Sequence, residues 1–151
     1  MMLEKIALTG RVLGVLLYAP PESKECQPLL DSLADPQWLT EWPYEGAQEA
    51  AALIAEGLAG NQSETLSEAY QRLFVGPHTL VAPPWGSVYL DRESVLFGDS
   101  TLRLRQWLRV NGIEAQRDQN EPEDHIGTLL MMAAWLAEEK QHKMISGLIA
   151  L

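Results

Sequence analysis

The chain has 151 residues, a formal net charge of −10 and a 46% hydrophobic fraction. That length suits one domain able to bury about two-thirds of its unfolded surface, and that composition is not one of a disordered chain. The charge argues against nucleic acid as a partner, and Cys26, the single cysteine, leaves no internal disulfide and no cysteine cluster for zinc.

The first predicted helix runs from about Leu3 to Tyr18 and is apolar nearly all round. Gly10 and Gly14 lie four apart, so a second helix can approach closely and this element is expected to be central. The stretch LTGRVLGVLLYAP resembles the apolar part of a signal peptide, but Arg11 interrupts it and no small-x-small cleavage site follows. It is also too short to span a bilayer, so a cytoplasmic protein is expected. Pro20-Pro21 ends this helix. A short amphipathic piece, Cys26 to Leu33, and a Trp38–Trp42–Pro43 connector follow, then an alanine-rich helix from Gly46 to Leu58. After Gly60-Asn61, Ser63 or Ser67 starts a helix carrying Leu66, Ala69, Tyr70, Leu73 and Phe74 on one face, stopped by Gly76-Pro77.

Residues 76 to 92, GPHTLVAPPWGSVYLDR, are the one long stretch that reads as non-helical. Their apolar content favours a rigid loop packed on the helices, with SVYL and SVLF as short extended segments. Asp99 or Ser100 caps the next helix, which ends at Asn111-Gly112. It turns Leu104, Trp107 and Leu108 inward and carries Arg103, Arg105 and Arg109 as a solvated face or as internal partners for acids. The last predicted long helix opens at Asn120, with Pro122 in its first turn and Glu123 completing a capping box. Ile126, Leu129, Leu130, Ala133 and Ala137 form its apolar face. Glu121, Glu123, Asp124 and His125 are thereby concentrated at the helix start, where carboxylates offset the macrodipole but a protonated histidine does not, so His125 is expected neutral or paired with an acid. The last ten residues, HKMISGLIAL, are apolar.

Several chemistries can be weighed on these residues. Glu121 and His125 are four apart, yet there is no HExxH, and a capped helix start is the simpler reading than a metal site. There is no GxSxG elbow and no P-loop. An Asp124–His125 acid–base pair is the enzymatic alternative, weakened because adjacent helical residues point about 100° apart. Binding is better supported: aromatic residues at Tyr70, Phe74 and Trp85 with acids near residues 114 to 124 suit a groove for a peptide with a basic end.

Three motifs, RLFVGP (72–77), PPWGSVYLDRESVLFGDSTL (83–102) and NEPEDHIGTLL (120–130), resemble the TorD/DmsD family of cytoplasmic redox-enzyme maturation chaperones, the middle one being similar to the DmsD branch. The resemblance covers most of residues 10 to 140. It implies an all-α, single-domain bundle over residues 1–151, with no catalysis, no metal and no cofactor. It implies as partner the twin-arginine leader of a molybdenum-cofactor oxidoreductase subunit, for the DmsD branch the catalytic subunit of dimethyl sulfoxide reductase, withheld from the Tat translocase until cofactor insertion. Translocase components are a further implied partner. The family's E-P-x-D-H signature is matched by Glu121, Pro122, Asp124 and His125, and its other leader-binding positions by Tyr70, Leu73, Phe74, His78, Trp85 and Gly98. Tyr70 and His78 depart from the tryptophans common in the DmsD branch, which bears on leader choice. Family members continue through at least two helices beyond the position of Leu151, and HKMISGLIAL does not resemble that continuation. The resemblance therefore implies an incomplete bundle with exposed apolar faces, which would favour a homodimer or a domain-swapped form, or leave a remnant that binds nothing.

Overall fold

A computed structural model of the chain describes residues 2–93, 96–113 and 122–151. Its elements are helical: α1 (Met2–Tyr18), α2 (Gln27–Leu33), a 3-10 turn (Pro36–Thr40), α3 (Gln48–Leu58), α4 (Leu66–Tyr70) continuing as a π turn (Gln71–Val75), α5 (Gly86–Leu90), α6 (Asp99–Val110), α7 (Ile126–Glu138) and α8 (His142–Ile149). Among the described residues no strand forms, only an isolated antiparallel bridge between Trp85 and His125, so the expected all-α class is what is observed. No helix among them is long and apolar enough to cross a membrane. Contacts divide the chain into two compact units, residues 1–18 with 83–151, and residues 19–82.

In the first unit α7 is the central element. Its Met132, Leu136 and Ala137 join Leu104 and Leu108 of α6 and Ile145 and Leu148 of α8 in one buried cluster. The apolar face expected for α7 is only partly this one. Ala137 lies in that cluster and Leu129 and Ala133 pack against it, whereas Ile126 is exposed; Ile126, Leu129, Leu130 and Ala133 also line a cavity, because α7 is apolar on several sides. The last apolar residues form α8, whose Ile145 and Leu148 face that core.

α1 crosses α7 at glycines from both helices. A Cβ on Gly10 would stand 2.5 Å from the Leu130 carbonyl oxygen, and one on Gly127 would stand 2.9 Å from the Gly14 carbonyl oxygen. The small residues four apart that marked α1 as central are thus where α7 approaches. At the edge of this crossing Arg11 and Glu138 pair through two hydrogen bonds, Nε to Oε1 at 2.8 Å and Nη2 to Oε2 at 2.9 Å.

The second unit differs from expectation at its caps. Thr65, rather than Ser63 or Ser67, starts α4, because its hydroxyl accepts from the Glu68 amide while the Glu68 carboxylate accepts from the Thr65 amide. The helix then widens into the π turn carrying Leu73 and Phe74, with the Tyr70 and Phe74 rings 5.2 Å apart, and stops at Gly76 with φ 107°. Cys26 is buried, its thiol donates to the Ala19 carbonyl at 3.3 Å, and burial pushes its pKa up, away from reactivity.

In the first unit, SVYL of residues 87–90 is helical, correcting the expected extended segment: Asp91 N bonds to Ser87 O, closing a helical turn after Pro83-Pro84. Of SVLF, residues 94 and 95 lie outside the described residues. α6 starts at Asp99 with Gly98 as N-cap and no bond from a local side chain, so neither Asp99 nor Ser100 caps it. The cap comes from Asp91, whose carboxylate accepts from Ser100 N at 3.3 Å and Ser100 Oγ at 3.1 Å.

Two measurements check this packing. Gly10→Ala is expected to lower stability by about 1–3 kcal/mol through overpacking. Gly57→Ala, in α3 with nothing within 4 Å of the new Cβ, is expected to raise it by about 0.4–1 kcal/mol in denaturant titrations. The Arg11 hydrogen bonds hold the Glu138 carboxyl below its usual pKa, so this pair stabilises the fold above the ordinary carboxylate range. The contribution is lost as pH falls through the depressed folded value. The melting temperature of Glu138→Gln should therefore lie slightly below that of the wild type at neutral pH and converge with it in acid.

Candidate functional site

The residues before α7 do not form its first turn. The helix begins at Ile126, and His125 is its N-cap, with extended backbone (φ −61°, ψ 131°) and Nδ1 accepting from Gly127 N at 3.0 Å. The expected start at Asn120, with Pro122 in the first turn and a capping box through Glu123, is corrected for a tertiary reason. Glu123 is committed to Arg105 of α6, and Asp124 to the Ser87 amide. Asn120 and Glu121 lie outside the described residues. Pro122, Glu123, Asp124 and His125 are all buried.

Each buried acid has a different fate. Glu123, 2% exposed, receives the Arg105 guanidinium in a two-pronged pair, Nη2 to Oε1 at 2.8 Å and Nε to Oε2. That pair raises the Arg105 pKa and fixes its charge, and the Phe97 ring lies 5.5 Å from the guanidinium carbon. Of the two readings open for the arginines, an internal partner is the right one for Arg105. Asp124, 4% exposed, accepts from Ser87 N through Oδ2 at 2.6 Å, while its Oδ1 is buried without a hydrogen-bond partner among the described residues.

The Trp85 loop meets this turn directly. Gly86 N donates to Asp124 O at 3.1 Å, and Ile126 N to Pro84 O at 2.8 Å. The His125 ring stands edge-on between Tyr18 and Trp85, with centroids 5.2 and 5.5 Å away. Nδ1 accepts the Gly127 amide hydrogen bond and so carries no proton there. Beside the turn opens a cavity of about 310 Å³, with Leu104, Leu129, Leu130, Ala133 and Leu148 among its apolar lining and Asp124 as its charged residue.

The structure thus brings Trp85, Pro122, Asp124 and His125 together in the first unit, with Gly98 in the same unit at the start of α6. Tyr70, Leu73 and Phe74, half-buried, and His78, exposed, belong to the second unit. Asp124 and His125 hold separate backbone amides, Ser87 N and Gly127 N, and these are not the bonds of an acid–base couple. Among the described residues no group of three histidine, cysteine, aspartate or glutamate side chains is placed to share a metal ion. Residues that sequence reasoning did not assign to the site are Tyr18, Ser87, Asp91, and Arg105 as the partner of Glu123. The change of charge sign between residues 103–109 and 114–124 was the one available signal, and it could not choose among three arginines.

Removing Arg105 takes the two-pronged guanidinium away from the buried Glu123 carboxylate. Arg105→Ala is therefore expected to destabilise the protein by about 2–3 kcal/mol, whereas Arg103→Ala, at an exposed position, stays within about 0.5 kcal/mol. Urea titrations of the two variants check this.

Comparison with known proteins adds an independent line. The family described as nitrate reductase delta subunit matches residues 42–150. The chain is 53% identical over 147 residues to the Tat proofreading chaperone DmsD of Salmonella typhimurium, covering 97% of this chain and 71% of that protein. It is 44% identical over 144 residues to the probable Tat proofreading chaperone DmsD of Haemophilus influenzae, covering 93% and 69%. The chaperone protein YcdY of Escherichia coli is 27% identical over 137 residues, covering 91% and 67%. With only helical elements among the described residues, the three motifs in order and these relatives, the chain belongs to the TorD/DmsD family, whose members are maturation chaperones and not enzymes.

Proposed function

We propose that this chain binds the twin-arginine leader of a molybdenum-cofactor oxidoreductase subunit, with the catalytic subunit of dimethyl sulfoxide reductase as its target, and delays transfer to the Tat translocase until the cofactor is in place. The names of its relatives, Tat proofreading chaperones, support the coarse part of this reading. The observation that carries the capture of an arginine is Oδ1 of Asp124, without a hydrogen-bond partner among the described residues and beside an apolar cavity. A buried carboxylate oxygen without a donor is costly unless a ligand supplies one. A guanidinium is the donor suited to it, and hydrogen bonds to charged groups contribute about 1.5–3 kcal/mol. Glu123 is already matched by Arg105, so Asp124 is the acid that the leader meets. In this reading Trp85 and His125 supply the aromatic wall of the site in the first unit. The chain's net charge of −10 favours a basic leader at long range.

The test is a calorimetric titration with a twin-arginine leader peptide and with the same peptide carrying glutamine at both arginines. The reading expects the glutamine peptide to bind at least 10-fold more weakly. Asp124→Asn keeps an oxygen for Ser87 N but turns an NH2 group toward the incoming guanidinium. It should weaken the arginine peptide about 10- to 100-fold, as loss of a charge-assisted bond implies, with little change in melting temperature. Equal affinity for the two peptides would remove Asp124 from the proposed role.

A further inference from the structure

Gly98 is one of the positions that the family resemblance gives to the peptide, yet its surroundings suggest a different use. Its backbone (φ −78°, ψ −168°) is extended and open to any residue, so glycine is not required there for conformational freedom. The requirement is spatial. A Cβ on Gly98 would lie 2.0 Å from Asp91 Oδ2, 2.3 Å from Asp91 Cγ and 2.8 Å from Oδ1. That carboxylate cannot swing aside without loss, because it accepts from both the amide and the hydroxyl of Ser100.

Those two bonds join the site into a ring. Asp91 closes the C-terminal end of α5, with its N–H bonded to Ser87 O at 3.1 Å. At the other end of α5, Ser87 N and Gly86 N both donate to Asp124. From Ser100 the path runs along α6 to Arg105, across the ion pair to Glu123, and so back to Asp124. The Asp91 carboxylate also serves α6 itself, offsetting its positive N-terminal end and satisfying the Ser100 amide, which has no acceptor within the helix.

We infer that Asp91 and Gly98 act as a pair that positions Asp124: Gly98 leaves the space in which the Asp91 carboxylate clamps α5 to α6, and neither residue touches the bound peptide. Asp91, Ser100 and Gly98 are thus positioning residues, acting through α5 on the Ser87–Asp124 bond. This inference rests on the leader-binding reading for its effect on affinity, but its structural half stands apart from that reading.

The experiment uses the full chain and two readouts. Amide hydrogen exchange at Ser87 and Ser100 needs no ligand. Gly98→Ala and Asp91→Ala should each speed exchange at both amides at least 10-fold, and Asp91→Asn, which still offers Ser100 an acceptor oxygen, should speed it less than 3-fold. Unchanged exchange at Ser87 in Gly98→Ala and Asp91→Ala would overturn the inference, whether or not a leader binds. The second readout is calorimetry with the arginine leader peptide on Gly98→Ala, Asp91→Ala and the double variant. Because both changes open the same clamp, the double variant should bind within about 3-fold of the weaker single variant. Multiplication of the two losses would instead mean that Gly98 contacts the peptide, and would also overturn the inference. A wild-type chain that binds no leader, with exchange behaving as expected, would count against the leader-binding reading alone. Should Asp91→Ala fail to fold, Ser100→Ala, which removes only the hydroxyl bond, takes its place and should give a smaller change of the same sign in both readouts.

Discussion

Asp124 joins two structural demands in one side chain. One carboxylate oxygen holds the Ser87 amide at 2.6 Å, and its backbone carbonyl holds Gly86, so the Trp85 loop is tied to the start of α7. The other oxygen has no hydrogen-bond partner among the described residues and lies beside a cavity. Burying a charged group in that condition is unfavourable, and the surroundings offset the cost by spreading the work among neighbours. Glu123, the adjacent acid, is neutralised by Arg105, so the turn does not carry two uncompensated charges side by side. His125 contributes a neutral ring that caps α7 and packs edge-on between Tyr18 and Trp85.

The scaffold under this turn is a helix crossing made close by glycine. Gly10, Gly14 and Gly127 bring the backbones of α1 and α7 together, and Tyr18 at the end of α1 reaches His125 as a consequence. α6 and α8 seal Met132 and Leu136 in the core, and Leu3, Ile6 and Ala7 of α1 pack against the same cluster. The turn is thus held by α1, α5 and α6 at once, through ring contacts, backbone amides and an ion pair respectively. Such redundancy suits a site that must keep one charge unsatisfied without letting the local backbone relax around it.

Much of the fold was legible in the sequence because its signals are local. The glycines of α1, the alanines of α3, the Gly76-Pro77 stop and the inward Leu104 and Leu108 of α6 follow from propensity and periodicity, and the helices lie where those predict. What failed was capping. Asp99 and Glu123 both looked like cap residues, yet the caps of α6 and α7 come from Asp91 and from the His125 ring, because the Arg105 and Ser87 contacts of the acids are long-range. SVYL reads as extended by composition and becomes helical once Gly86 and Ser87 have Asp124 to bond to. Asp124 and His125 were recognisable as members of a motif, but that one acid is spent internally while the next keeps an open oxygen cannot be read from neighbouring letters.

The most direct test of this division of labour is carboxyl 13C NMR of the chain, with Asp124 and Glu123 assigned, as a leader peptide carrying 15N-labelled arginine side chains is added. The Asp124 carboxyl resonance is expected to shift with the saturation of binding, an arginine guanidinium of the peptide to show contacts to Asp124, and Glu123 to stay at its starting position. Saturable binding in which Asp124 is silent, or in which Glu123 exchanges Arg105 for the peptide's arginine, would contradict this division of labour.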